Sequence, residues 1–135
     1  MVAFVIDTSA LVAIYRKEPM ASALVRRLGK ATTAIVPATC LVEIALLRRM
    51  EERLLGWVQD LVGEPPYQLV GLSLAESQIA AVAARRYGKG SGHPAQLNFG
   101  DCLVYAAASY RNLPLLFTGS DFGRTDIPAA LNLES

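Results

Sequence analysis

Short apolar runs alternate with segments of helical periodicity along the chain, and this alternation limits the fold more than any other feature. The apolar runs predict four strands, Ala3–Ile6, Thr33–Val36, Tyr67–Val70 and Leu115–Phe117. Strands separated by helices are typical of a mostly parallel central sheet that is flanked by helices. The sequence therefore predicts an α/β three-layer sandwich.

The segments between these strands are predicted to be helical. Thr39 is expected to be the N-cap of a long helix that runs through Leu47 to about Arg53. Further helices follow Asp7-Thr8-Ser9 and are predicted over Ala21–Leu28, Leu54–Val62 and Phe99–Arg111.

The segment Ser73-Leu74-Ala75-Glu76 has the pattern of a capping box. The helix that it opens is predicted to extend to Tyr87. Its inward face is expected to carry Ala75, Ile79 and Val82.

Length and composition restrict the class of protein. The 135 residues fit one domain, 1–135, and the apolar fraction of 53% contains no uninterrupted run long enough to cross a membrane. Cys40 and Cys102 lie in apolar helical segments, which favours buried thiols in a reducing cytoplasm over a disulfide. We therefore expect a cytoplasmic protein.

A net charge of +1 gives no general support for nucleic-acid binding. If four of the 12 acidic residues share one site, however, eight acidic and 13 basic residues remain for the rest of the chain, which gives a net charge of +5 outside that site. A basic rim around an acidic centre suits a phosphate backbone held over cations. Ordinary solvated helix faces are the alternative, and composition does not decide between them.

Four acidic residues, Asp7, Glu43, Asp101 and Asp121, are expected at one edge of the sheet. Asp7 follows the first strand directly, and Asp121 follows the last strand within a few residues. Glu43 lies one turn into the helix after the second strand, and Asp101 lies in the first turn of its helix. Ligands of open α/β sheets collect outside the carboxyl ends of the strands, where these elements meet.

Glu43 is the only charged residue between Cys40 and Leu47. A carboxylate in so apolar a helix must be partly buried, and a buried charge needs a cation. The cation is either a metal ion or one of the arginines on the next two turns.

The other three acids also have structural interpretations. Asp7 suits an N-cap, Asp101 compensates a helix dipole, and Asp121 suits an Asx-turn. Structural roles of this kind do not explain why four acids would lie together at one edge, because clustered carboxylates repel one another unless cations neutralise them.

Oxygen ligands alone favour Mg²⁺ or Mn²⁺, and zinc is disfavoured because His93 is the only histidine. Two such ions can orient a water molecule and stabilise the in-line displacement at a phosphodiester. Thr8, Thr118 and Ser120 are expected to hydrogen-bond water or phosphate at this site.

Four motifs follow one another in the order Val5–Leu11, Glu43 in its apolar helix, Leu97–Cys102 and Leu116–Phe122. In this order and spacing, over essentially the whole chain, the sequence resembles PIN-domain proteins and specifically the VapC-type toxins of bacterial toxin–antitoxin modules. The resemblance implies a PIN-like domain.

The resemblance also implies an Mg²⁺- or Mn²⁺-dependent endoribonuclease, usually a homodimer, that acts on structured RNA such as transfer or ribosomal RNA. A cognate antitoxin would block its site. The catalytic and metal-binding positions carried over are Asp7, Glu43, Asp101 and Asp121. Asp126 matches an acid often present near the fourth position and stays outside this set. The alternatives are a PIN scaffold that binds RNA without activity and a metal-dependent DNA nuclease.

Two surface regions have less specific signals. The basic, glycine-rich stretch from Tyr87 to His93 is either a clamp on the RNA backbone or a solvated connection. The helix Met20–Leu28 and the region Leu46–Trp57 are rich in large apolar residues and are candidates for antitoxin or dimer contacts.

Overall fold

A computed structural model describes residues 1–47 and 52–131. Its strands are β1 (Ala3–Ile6), β2 (Thr33–Pro37), β3 (Tyr67–Val70) and β4 (Leu115–Leu116). Its helices are α1 (Thr8–Tyr15), α2 (Ala21–Leu28), α3 (Thr39–Ala45), α4 (Leu54–Val62), α5 (Leu74–Tyr87) and α6 (Phe99–Arg111), followed by a 3-10 turn at Phe122–Arg124.

All four strands are parallel and lie in the order β3-β2-β1-β4. The order reverses at β1, because the chain moves from β1 through β2 to β3 and then crosses to the other side of β1 to form β4. Right-handed connections put α1–α4 on one face of the sheet and α5 and α6 on the other. The predicted α/β three-layer sandwich is confirmed.

The reversal creates a crevice outside the carboxyl ends of β1 and β4. Ile6 is paired with Leu116 there, and the Asp7 N–H donates to the Leu116 carbonyl oxygen at 2.9 Å. The end of β1 and the segment after β4, which are more than 100 residues apart in sequence, are therefore neighbours.

The core lies around β1 and β2, whose side chains are buried because helices cover both faces of the sheet. Phe4, Val5 and Ile6 are fully buried in β1. Cys40 and Cys102 are buried free thiols, as predicted. Within the described residues, no helix is long and apolar enough to cross a membrane.

Two strand ends differ by one residue from the prediction. Strand β2 includes Pro37, which pairs with Val70 of β3. Strand β4 ends at Leu116, one residue before the predicted Phe117.

The helix predicted from Thr39 to about Arg53 is shorter and is capped differently. Ala38 occupies the N-cap position, and the buried Thr39 hydroxyl has no hydrogen-bond partner among the described residues. Helix α3 ends at Ala45, and Leu46 and Leu47 beyond it are exposed. The rest of the predicted helix falls partly on residues 48–51, outside the described part of the chain.

The capping box of α5 and its end at Tyr87 are confirmed. Of the predicted inward face, Ala75 and Ile79 are partly buried and Ile79 packs against the core, but the prediction for Val82 is wrong. Val82 is 67% exposed. The buried residues of α5 are Glu76, Ala80, Ala83 and Tyr87. On this face, the buried Glu76 carboxylate forms an ion pair with Arg111 of α6. Although burial disfavours a charged carboxylate, hydrogen bonds from Arg111 and Ser73 keep the pKa of Glu76 below its usual value.

Replacing Glu76 with alanine is expected to lower the free energy of unfolding by about 3 kcal/mol, since Arg111 then loses its buried partner. Urea unfolding followed by circular dichroism measures this change. Glu64→Ala removes an exposed carboxylate and serves as the control, with an expected change below about 0.5 kcal/mol. Equal effects of the two substitutions would show that the ion pair contributes nothing.

Candidate active site

Asp7 occupies the point where β1 passes into α1. It is 5% exposed, and its Oδ2 accepts a hydrogen bond from the Ser9 N–H at 3.0 Å, so it caps α1. Burial raises the pKa of Asp7 from 3.8 to about 6, and the negative charge of Asp101 adds to this increase. The hydrogen bonds from Ser9 and Thr8 act in the opposite direction. Asp7 is thus both a structural cap and a buried acid.

Glu43 reaches the same edge from α3, where it is half-buried as predicted. The Thr8 hydroxyl donates to Glu43 Oε1 at 3.1 Å, which connects α3 to the beginning of α1. Burial raises the pKa of Glu43 from 4.5 to about 7, and the charges of Asp7 and Asp101 raise it further. Thr8, which is expected to hydrogen-bond water or phosphate, donates its hydroxyl proton to a carboxylate and keeps its acceptor lone pairs.

The Glu43 carboxylate lies directly against the backbone of Gly100, near the start of α6. A Cβ atom built on Gly100 would collide with the carboxyl carbon and an oxygen of Glu43. Only glycine leaves this space open. Gly100 lies in the Leu97–Cys102 motif, but the sequence does not predict this role, because a helical glycine beside an acid has no local signal for contact with another helix.

Asp101 follows one residue later and belongs to a capping box of α6. Its Oδ2 accepts from the Asn98 N–H at 3.0 Å, while its own N–H donates to Asn98 Oδ1 at 2.8 Å. Burial raises the pKa of Asp101, and the charge of Asp121 adds to this effect. The Asn98 N–H and the positive charge of Lys89 act in the opposite direction.

Asp121 lies on the exposed side of the site, before the 3-10 turn, and makes no capping hydrogen bond with its side chain. Gly119, with φ of 85°, provides the backbone turn that leads to it. The Thr118 N–H donates to the Ser9 hydroxyl oxygen at 3.0 Å and so attaches this segment to α1. Ser9 is a positioning residue that sequence reasoning did not single out.

The four acids, here called the acidic edge, therefore come from four separate parts of the chain and interact through their charges. Every charged group that shifts the pKa of Asp7 or Glu43 is another carboxylate. Two arginines proposed as alternative partners of Glu43, Arg48 and Arg49, lie outside the described residues.

The acidic edge fits a hard divalent cation by the chemistry of its oxygen donors. Within residues 1–47 and 52–131, no group of three or more histidine, cysteine and acidic side chains is placed so that together they could hold a metal ion. Mg²⁺ keeps several water ligands and needs only one or two carboxylates, so an open group of acids is sufficient for it. Burial and the nearby acids raise the pKa of the Cys40 thiol to about 12, so this thiol is neutral when no metal is bound.

Other residues singled out in the sequence have structural partners. Asp126 accepts a hydrogen bond from the Tyr105 hydroxyl and so attaches the segment after the 3-10 turn to α6. His93 packs edge-on against Tyr87, and its Nδ1 accepts the Ala95 N–H at 3.0 Å. These contacts order the 87–93 stretch around Lys89.

Basic residues contribute little near the acidic edge. Arg27 donates to the Ala130 carbonyl oxygen at 2.8 Å and lies over the Phe4 ring, and Arg86 lies over Tyr87. Lys89 is the only basic residue whose charge shifts the pKa of one of these acids within the described chain. Among the described residues, Lys89 thus represents the predicted basic rim next to Asp101, while Arg48 and Arg49 lie outside the described part of the chain.

Comparison with known proteins identifies the family of this chain. The PIN-domain family model matches residues 4–128. Ribonuclease VapC28 of Mycobacterium tuberculosis is 37% identical over 130 residues, which cover 95% of this chain and 98% of that protein. The chain therefore belongs to the PIN-domain family, among the VapC ribonucleases, as its ordered motifs predict.

Solved structures show the same fold. Mycobacterium tuberculosis VapC20, described as a sarcin-ricin loop cleaving toxin, has a TM-score of 0.74 at 15% identity, with 92% of this chain and 95% of that chain covered. VapBC2 from Rickettsia felis, bound to a DNA fragment from its promoter, has a TM-score of 0.69 at 14% identity. The match covers 94% of this chain and 96% of that chain.

Proposed function

We propose that this chain is a metal-dependent endoribonuclease and the toxin of a toxin–antitoxin pair. The observation that carries the proposal is the meeting of Asp7, Glu43 and Asp101 at one edge, where burial and mutual repulsion raise their pKa values. Such a group binds cations strongly because a cation removes both costs. Family membership supports RNA as the substrate.

Asp7, Glu43, Asp101 and Asp121 are proposed to hold Mg²⁺ or Mn²⁺. When bound, such an ion supplies Lewis-acid stabilisation of the phosphodiester transition state and lowers the pKa of water. The protein contributes the positions of the carboxylates: Thr8 orients Glu43, Ser9 orients Asp7 and the segment leading to Asp121, and Asn98 orients Asp101. A carboxylate with a raised pKa is also suited to accept the proton of the attacking water.

The substrate is proposed to be structured RNA, such as transfer or ribosomal RNA, cleaved at an exposed single-stranded site. The proposed protein partners are a cognate antitoxin and a second copy of this chain. Apolar side chains exposed on α2, on α3 and just after α3 support a protein partner on that side of the molecule; they include Val25, Val42 and Leu46.

The test is to incubate the purified chain, free of any antitoxin, with total cellular RNA in Mg²⁺, in Mn²⁺ or in EDTA. Asp7→Asn, which keeps the shape of the side chain but removes its charge, is the matched control. We expect discrete fragments that require the metal and are absent for Asp7→Asn. Single-stranded DNA in a parallel lane should remain intact.

Cleavage that persists in EDTA or in Asp7→Asn would refute the proposed chemistry of the acidic edge. Metal-dependent cleavage of DNA but not RNA would identify a DNA nuclease. A folded protein that binds RNA and metal without cutting any RNA would be a binding scaffold.

A further inference from the structure

Phe99 is 82% exposed, more than any other aromatic side chain in the described residues. It is the first residue of α6 and lies two positions before Asp101. Neither the core nor helix formation requires a phenylalanine here, and an exposed ring costs free energy in water. An exposed aromatic ring beside a nuclease site is suited to stack on a nucleic-acid base.

The ring borders a groove between α5 and α6 with a volume of about 640 Å³. Its walls are apolar and include Leu72, Ala81, Ala84, Leu97 and Leu103. This volume lies within the range of roughly 300–1,000 Å³ that is typical of small-molecule sites. The groove, here called the α5–α6 groove, is thus large enough for a planar ring stacked on Phe99.

Polar groups lie on the side of the groove nearest the acidic edge. Lys89 lines the groove, and its charge acts on the Asp101 carboxylate, so its ammonium is near both. Asn98 also lines the groove. Because its Oδ1 already accepts the Asp101 N–H, its amide N–H groups remain donors for a ligand. Apolar walls with a cation and a donor at one side match a base attached to a phosphate.

We propose that the α5–α6 groove binds an unpaired RNA base adjacent to the scissile phosphodiester, with the base stacked on Phe99 and its phosphate near Lys89. This inference rests on the proposed function, since it takes the acidic edge as the cleavage site. A base within a duplex cannot enter the groove, so the site selects RNA that is single-stranded at the cut. Every base can stack on an aromatic ring, so stacking on Phe99 does not select among bases. The Asn98 amide N–H groups favour bases that present a hydrogen-bond acceptor on the edge facing Asn98.

The test measures binding of a short fluorescein-labelled single-stranded RNA in Mg²⁺ by fluorescence anisotropy, in an Asp7→Asn background that prevents cleavage. We expect Phe99→Ala to weaken binding about 10- to 100-fold, as loss of one stacked base does. Phe99→Trp should keep the affinity, and RNA should quench the fluorescence of its indole. Leu74→Ala, which removes a side chain that is 76% exposed and outside the groove, should have no effect.

Unchanged RNA affinity in Phe99→Ala, or no RNA binding by the parent, would overturn the proposal. Unchanged affinity together with a shift towards monomers in sedimentation would show that the groove is an interface between copies of the chain. Cleavage of total RNA by the wild-type protein is measured in parallel. If the wild type cleaves RNA while Phe99→Ala keeps its RNA affinity, base binding in the groove is refuted and the proposed function is not. Affinity falls as salt rises, and Lys89→Gln should make the slope of log affinity against log salt less steep by about one.

Discussion

Gly100→Ala is expected to lower the rate of RNA cleavage at least about 100-fold while the protein stays folded. The added methyl group occupies the position of the Glu43 carboxylate, which is the flexible end of a side chain and moves away. A displacement of about 1 Å in a catalytic group is sufficient for a loss of this size. Alanine is also the better helix former, so the free energy of unfolding should stay the same or rise by up to about 1 kcal/mol.

Gly56→Ala is the matched control for this prediction. Gly56 lies inside α4, and a Cβ at that position meets no atom within 4 Å. It should gain similar helix stability and keep full activity. The measurement is the initial cleavage rate at saturating Mg²⁺, together with urea unfolding of each variant.

A double-mutant cycle tests whether Gly100→Ala acts through Glu43. If Gly100→Ala acts by displacing Glu43, the variant that combines it with Glu43→Ala should cleave no more slowly than Glu43→Ala alone. Additive losses would place the effect of the methyl group elsewhere. Wild-type activity in Gly100→Ala would remove Glu43 from the catalytic group.

In the absence of metal, the free energy of unfolding is expected to depend on pH. Between pH 5 and pH 8, the free energy of unfolding of the EDTA-treated protein is expected to fall by about 3 kcal/mol. Asp7 and Glu43 have pKa values of about 6 and about 7 in the folded protein, against 3.8 and 4.5 as usual values. The folded state therefore binds more protons than the unfolded state in this range, and stability decreases as pH rises. Glu76, whose pKa is lowered, contributes its stabilisation throughout.

Urea unfolding in EDTA at several pH values measures this slope. Asp7→Asn is the control, because it removes one of the two acids and should be more stable than the wild type at pH 8 without metal. Mg²⁺ should restore wild-type stability at pH 8 and have little effect at pH 5, where the acids hold protons. A flat or rising profile in EDTA would mean that these carboxyl groups are not buried acids.

Much of the fold follows from local sequence. The strand Ala3–Ile6, the helix Leu54–Val62 and the capping box at Ser73 are where the sequence predicted them. These elements have signals within a few residues: an apolar run, a helical period or a cap. Their alternation implies the parallel sheet, since parallel strands require crossover connections.

The acidic edge was predictable for a related reason. Asp7 and Asp121 follow strands, and the carboxyl ends of parallel strands meet. The catalytic and metal-binding roles of these acids stay predictions. The family assignment, which rests on the ordered motifs, is confirmed by the comparisons.

Only the tertiary structure decided which surfaces touch. The sequence of α5 allows several apolar faces, and only the structure shows that the buried face carries Glu76, which is paired with Arg111 of α6. The end of α3 at Ala45 has no signal in the apolar run that continues to Leu47. The contact of Glu43 with Gly100 joins residues 57 positions apart. No local pattern records such contacts, because their free energy depends on packing between distant segments, whereas caps and periodicity depend on neighbours along the chain.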